Sequence, residues 1–142
     1  SGSSRAGPER IMDALARIFL ALGALSAGLS VALAAVLAHG PGAAEAAQPM
    51  LKTALSLHQF HALGLVAVAL AIAWRGPSRW WLASGVLMLA GTLLFSFNLY
   101  ARAWWQFDAL RALVPWGGTC WLLAWLCLAC GAWRVQAAPH TG

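Results

Sequence analysis

The 142-residue chain carries charge on only 9% of its residues, is 61% hydrophobic and has a formal net charge of +5. A soluble domain is about 25% charged, so this composition excludes an ordinary soluble fold, a disordered tail and a nucleic-acid binder. An integral membrane protein remains, and at about 20 apolar residues per span the length accommodates four spans.

Ser1 to Gly7 reads as an expression scar or an upstream read-through, with Met12 as the candidate natural start. Residues 1–10 are therefore set aside as a scar or disordered N-terminus, residues 11–135 form a single membrane domain, and 136–142 are a tail. The first span is expected over residues 18–38, and Ala24, Gly28 and Ala32 repeat along it every fourth position. That small-xxx-small pattern lets helices approach closely in lipid. The run exceeds the 7–15 residues of a signal-peptide core, which favours a retained helix. Residues 39–53 read as a polar connection punctuated by Pro41, Gly42 and Pro49, with room for a helical turn at Ala43 to Ala47.

The second span is expected over 54–74. It starts polar, with Ser56, His58, Gln59 and His61, and ends apolar. Arg75 to Arg79 is a tight turn, which forces its flanking helices to lie antiparallel and adjacent. The third span, 80–100, ends polar with Ser96, Asn98 and Tyr100. Arg102 to Arg111 mixes Trp104, Trp105 and Phe107 with charge, as suits a headgroup-level helix or turn. The fourth span, 113–133, begins with Pro115-Trp116-Gly117-Gly118. The nine Trp read as an aromatic belt at the span ends. Cys120, Cys127 and Cys130 lie within one apolar run and read as small apolar side chains, not as a redox or disulfide motif.

Arg5, Arg10, Arg17, Arg75, Arg79 and Arg134 fall on one side of such an up-down bundle; Lys52, Arg102 and Arg111 fall on the other. The basic excess places both termini in the cytoplasm. The far side gathers the polar side chains of the spans: His39, His58, His61, Ser96, Asn98, Tyr100 and Thr119. Polar groups inside spans are expensive, so they face the bundle interior and mark candidate function. His58 and His61, three apart, share a helix face. Three readings stay open for them: interhelical hydrogen-bond glue to Asn98, Ser96 or Tyr100; a quinone or other small-ligand site; or a metal or haem site with His39 as third ligand. Gly117 and Gly118 read as positions for close helix packing. There is no phosphate loop, nucleophile elbow or His-Glu-x-x-His helix. No charge lies deep in a span, which argues against a proton-coupled transporter.

Four blocks occur in order: Leu37-Ala38-His39-Gly40, Thr53 to Leu63, Gly91 to Tyr100, and Pro115-Trp116-Gly117-Gly118. Together they resemble the family called domain of unknown function 423, small bacterial membrane proteins whose animal relative is transmembrane protein 256. The resemblance covers residues 12–135 and implies four transmembrane helices, with no established reaction, cofactor or substrate. Its motif positions fall on His39, Gly40, His58, His61, Ser96, Tyr100, Pro115, Gly117 and Gly118. Leu57 departs from a usual aromatic residue, Phe97 and Asn98 from a small Gly-Ser pair, and Val114 from a frequent Thr. The expected protein is thus an all-α, non-enzymatic bundle of the bacterial inner membrane, without a required cofactor. It would act as an accessory or assembly subunit of a larger membrane complex, or self-associate. A redox-linked quinone, haem or metal binder is the alternative.

Overall fold

The computed structural model describes residues 6–40 and 45–134. Among these, helix α1 covers Ala6–His39, α2 Gln48–Arg75, α3 Arg79–Gly91, α4 Asn98–Trp105 and α5 Val114–Arg134. A π-helical stretch, Thr92–Phe97, joins α3 to α4, so that Arg79–Trp105 is one continuous span. Among the described residues, four helices are long and apolar enough to cross a bilayer. They form an all-α, up-down membrane bundle in which α1 packs on α2, α3 on α5, and α2 on α3.

Several boundaries differ from those expected. α1 begins at Ala6, inside the segment set aside as scar or disorder. α2 begins at Gln48, six residues early. Pro49 lies in its first turn, where a missing N–H is no loss; it starts the helix and does not punctuate a loop. The turn expected at Ala43 to Ala47 is a 3₁₀ turn at Glu45–Ala47, with Ala43 and Ala44 outside the described residues. The third span runs on to Trp105 and carries the Trp104–Trp105 pair with it. It stops at Gln106, whose φ of 53° is left-handed, while Phe107 N–H reaches back to the Ala101 carbonyl at 3.2 Å. That is a Schellman-type stop. Arg102 Nε and Asp108 Oδ1, 3.0 Å apart, then brace the connection.

The short connection needs Gly76 at φ 83°, and Ser78 Oγ accepts from the Trp80 N–H at 3.2 Å to start α3. One apolar core lies near this turn, around Phe19, Val68, Ile72, Trp81 and Met88. A second, around Leu51, Ala54, Leu99 and Tyr100, lies at the other end.

The packing glycines differ from those expected. Ala24, Gly28 and Ala32 are exposed, and a Cβ on Gly28 would meet nothing within 4 Å. The stripe takes no part in packing within the chain. Close approach falls instead to Gly85 against Phe19, Gly91 against Trp121 and Gly131 against Trp81. The adjacent pair Gly117 and Gly118 divides: a Cβ on Gly117 would lie 2.6 Å from the Phe95 backbone nitrogen, whereas Gly118 faces open space. Gly117→Ala is therefore expected to destabilise the bundle by about 1–3 kcal/mol through overpacking. Gly118→Ala should be neutral or stabilise it by up to about 1 kcal/mol through helix propensity. Reversible unfolding in mixed micelles measures both.

Candidate functional site: two histidine clamps on the second helix

Because α2 starts at Gln48, His58 and His61 lie about 15 and 20 Å along it at 1.5 Å per residue. This is deeper than a start at residue 54 implied. Both are buried, at 0% and 5% exposure. A three-residue offset turns the second ring about 60° from the first, enough to send the two to different neighbours.

His58 points between α1 and the third span. Its Nε2 lies 2.8 Å from Ser26 Oγ and its Nδ1 2.9 Å from Tyr100 Oη. Phe97 closes the site edge-on, with ring centroids 5.4 Å apart. That departure from the small family residue forms a wall of the His58 pocket. His61 points to α5. Its Nδ1 lies 2.7 Å from the carbonyl of Leu57 and must donate to it. Its Nε2 is then the acceptor for Trp125 Nε1–H at 3.1 Å. The ring also stacks on Trp121, with centroids 3.9 Å apart and planes 4° apart. The partners thus fix the His61 tautomer. Those of His58 are both hydroxyls, which donate or accept equally well, and leave its tautomer free.

The other expected site residues disperse. Ser96 Oγ donates to the Ala54 carbonyl at 2.8 Å and joins the third span to α2. Asn98 and Tyr100, two residues apart on a helix, point about 200° apart, so Asn98 does not reach the histidines. Its Nδ2 donates to the Leu110 carbonyl at 2.6 Å, and its Oδ1 is buried without a partner. Thr119 is exposed and donates to its own Pro115 carbonyl at 3.1 Å. His39 ends α1 in an exposed position.

The candidate metal trio of His39, His58 and His61 is therefore not assembled. Among the described residues no three His, Cys, Asp or Glu side chains gather as a metal site. Each buried ring has its single lone pair occupied by a partner. A metal or haem iron would first have to break a buried hydrogen bond, a cost that weighs against this reading.

Sequence reasoning missed Ser26, Trp121 and Trp125. Ser26 is one of two hydroxyls, with Ser30, in the middle of an otherwise apolar α1 stretch, which was its only signal. The tryptophans were assigned to the belt, yet Trp81 and Trp121 are 3% and 4% exposed. Each donates inward, Trp81 Nε1 to the Leu128 carbonyl at 3.1 Å and Trp121 Nε1 to the Met88 carbonyl at 3.2 Å. Ser84 Oγ adds a bond to the Ala124 carbonyl at 2.7 Å, so polar contacts also occur in the half of the bundle away from the histidines.

Fold and site together define a small four-helix integral membrane protein stitched by buried histidines. Residues 33–118 match the family described as "Protein of unknown function (DUF423)". The UPF0382 membrane protein YwdK of Bacillus subtilis is 34% identical over 121 residues, covering 82% of this chain and 96% of its own length. A UPF0382 membrane protein of Haemophilus influenzae is 36% identical over 127 residues, covering 84% and 96%. The UPF0382 inner membrane protein YgdD of Escherichia coli K12 is 33% identical over 122 residues, covering 84% and 92%. The chain belongs to this DUF423 (UPF0382) family. No solved structure matches it.

Removing either hydroxyl of the first clamp tests its energetics. Ser26→Ala and Tyr100→Phe should each lower stability by about 0.6–1.7 kcal/mol, the range for interhelical bonds in membranes. In a His58→Leu background the Tyr100→Phe effect should vanish. A double-mutant cycle on unfolding in bicelles checks this.

Proposed function

We propose that this protein is a non-enzymatic accessory or assembly subunit of a larger complex in the bacterial inner membrane, with both termini cytoplasmic. The observation that carries the reading is the use made of the two buried histidines: all their ring nitrogens bond to partners within the bundle. They hold helices together and leave no ring nitrogen to act on a substrate. A second support is α1, which leans on α2 and exposes Leu25, Gly28, Val31 and Ala32 along its outer face. A smooth face of this kind suits close packing against another transmembrane helix. The name of the Escherichia coli relative supports the inner membrane. The excess of Arg beside the termini and the Arg75–Arg79 turn supports the orientation.

The test uses the full chain in native membranes. A photoreactive residue at Gly28 should join it to a second membrane polypeptide, and native electrophoresis should show an assembly containing both. Gly28→Leu should abolish both while the bundle stays folded. A monomer or pure homo-oligomer would overturn the accessory reading. Reporter fusions at each terminus should be active only in the cytoplasmic form; a periplasmic C-terminus would overturn the orientation.

One observation favours a second reading, a redox-linked binder. Ser26, the outer partner of His58, lines an apolar cleft that opens between α1 and the third span. With metal and haem set aside by the occupied ring nitrogens, this reading narrows to an organic ligand of the quinone class.

A further inference from the structure

Three clefts run end to end along one side of α1. The first, about 420 Å³, opens between Leu25, Ser26 and Leu29 of α1 and Thr92, Leu93 and Phe97 of the third span. The second, about 290 Å³, shares Leu29 and Phe97 with it and reaches Tyr100 and Trp104. The third, about 350 Å³, shares Leu33, Trp104 and Trp105 with the second and ends at Val36. Residues 22–36 of α1 border the whole, a length of about 20 Å at 1.5 Å per residue. The opening has a cause in the packing. Phe19 seats on Gly85 and holds α1 against α3 near the short turn. Beyond that contact α1 leans on α2, and Phe97 and Tyr100 form the far wall of the gap.

The groove is apolar along its length but passes both ends of the His58 relay. Ser26 lines the first cleft and Tyr100 the second. A neutral imidazole between two hydroxyls has a fixed hydrogen balance. Ser26, His58 and Tyr100 together carry three donor hydrogens and use two in their mutual bonds. If Tyr100 donates to Nδ1, the ring donates from Nε2 to Ser26, and the Ser26 hydrogen is left over. In the other tautomer Ser26 donates to the ring, and the Tyr100 hydrogen is left over. Either way the residue that retains a donor the relay does not consume is one that lines the groove. An unmade hydrogen bond in an apolar setting is unfavourable by roughly 1–3 kcal/mol, so an acceptor from outside the chain gains by meeting it.

We propose that this groove binds a membrane-soluble, long-chain carbonyl compound of the isoprenoid-quinone class, its carbonyl accepting from Ser26 or Tyr100 and its tail lying along α1. The proposal rests on the second reading above and gives that ligand a place and a recognition chemistry. Depth selects the class. Ser26 lies about 20 Å along α1 from its His39 end, well inside a hydrocarbon core of about 30 Å. The ester carbonyls of a phospholipid stay at headgroup level and do not reach it, whereas a quinone ring enters the hydrocarbon. His61 is unsuited to the same task, because Leu57 and Trp125 fix its tautomer and consume its bonds.

The experiment is photolabelling of the intact protein in phosphatidylcholine nanodiscs with an azido derivative of decylubiquinone, competed by decylubiquinone itself. Labelled peptides are read by mass spectrometry. The expected result is saturable, competed labelling of peptides spanning residues 22–36 and 89–105. It should be lost in Leu29→Trp, which fills the groove from a half-exposed position, and weakened about fivefold or more in Ser26→Ala/Tyr100→Phe. Circular dichroism and monodisperse elution establish that each variant is folded; if Tyr100→Phe is not, Ser26→Ala alone serves. Competed labelling confined to α2 and α5 would overturn the groove while leaving a quinone-binding reading intact. Labelling that no competitor displaces would overturn both. Competed groove labelling unchanged by the hydroxyl variants would refute carbonyl recognition by the relay.

Discussion

His58 lies at a depth where lipid offers no hydrogen bond, and its ring meets Ser26 of α1 on one side and Tyr100 of the third span on the other. The bundle is arranged around that need. Lipid supplies no partner to a polar group within the hydrocarbon, so a buried imidazole on α2 determines what its neighbours present. His61 repeats the demand one turn on, and α5 meets it with Trp125 and the stacked face of Trp121. The two rings thus join α2 to each of the other spans. Dispersion holds TM helices together without specifying register; these directed contacts specify it.

The α3–α5 pair shows a second device for the same constraint. Trp121, Trp81 and Ser84 each donate to a backbone carbonyl across the interface. Such a carbonyl already accepts within its own helix, but its second lone pair is available. Reaching it requires backbones close enough for an indole to lie between them. Gly91 beside Trp121 and Gly131 beside Trp81 provide that space. The Met88 carbonyl also accepts from Thr92 Oγ1 at 3.0 Å, at the start of the π-helical stretch. π-Helical turns break the regular ladder and often occur at functional sites. Here the turn carries Phe97 and Tyr100 to the His58 relay.

The four spans were legible because apolar run length and turn residues are local properties of the chain. His58 and His61 as interior residues were legible for the same reason: polarity inside a span has few alternatives. What could not be read was the direction of each ring. Two residues three apart on a helix look like one face in sequence, yet a 60° turn sends His58 to α1 and His61 to α5. Asn98 and Tyr100 look like one cluster and point apart. Trp74, Trp80, Trp105, Trp116 and Trp133 are exposed near the span ends, as the belt reading expects. It did not hold for Trp81 and Trp121, because indole is equally suited to an interface and to a glycine notch. Only the partner helix decides, and sequence spacing along one helix says nothing of the partner's register. The Ala24–Gly28–Ala32 stripe shows the same point from the other side. Small residues permit close approach, but α2 meets α1 at Gly23, against Val66, and leaves the stripe outside.

α1 is consequently attached unequally. Its inner edge is held by Phe19 on Gly85, Gly23 on Val66, the Ser26–His58 bond, and Leu33 and Leu37 against the second core, while most of the remaining surface of its span is exposed. α2 and the third span, by contrast, are far more deeply buried than α1 or α5. Regions with few buried contacts open and shift at lower free energy than the core they lean on. Anything that binds against α1, whether a helix on its outer face or a chain in its groove, therefore acts on the least constrained span. Among these contacts, Ser26 is the one that meets the His58 relay. It is the only α1 side chain bonded directly to the relay among the described residues, and the free tautomer of His58 lets that bond reverse its direction without breaking. A locked ring like His61 transmits no such reversal. The difference between the two histidines, three residues apart, is thus a difference between a joint that fixes the bundle and one that can respond to what lies beside it.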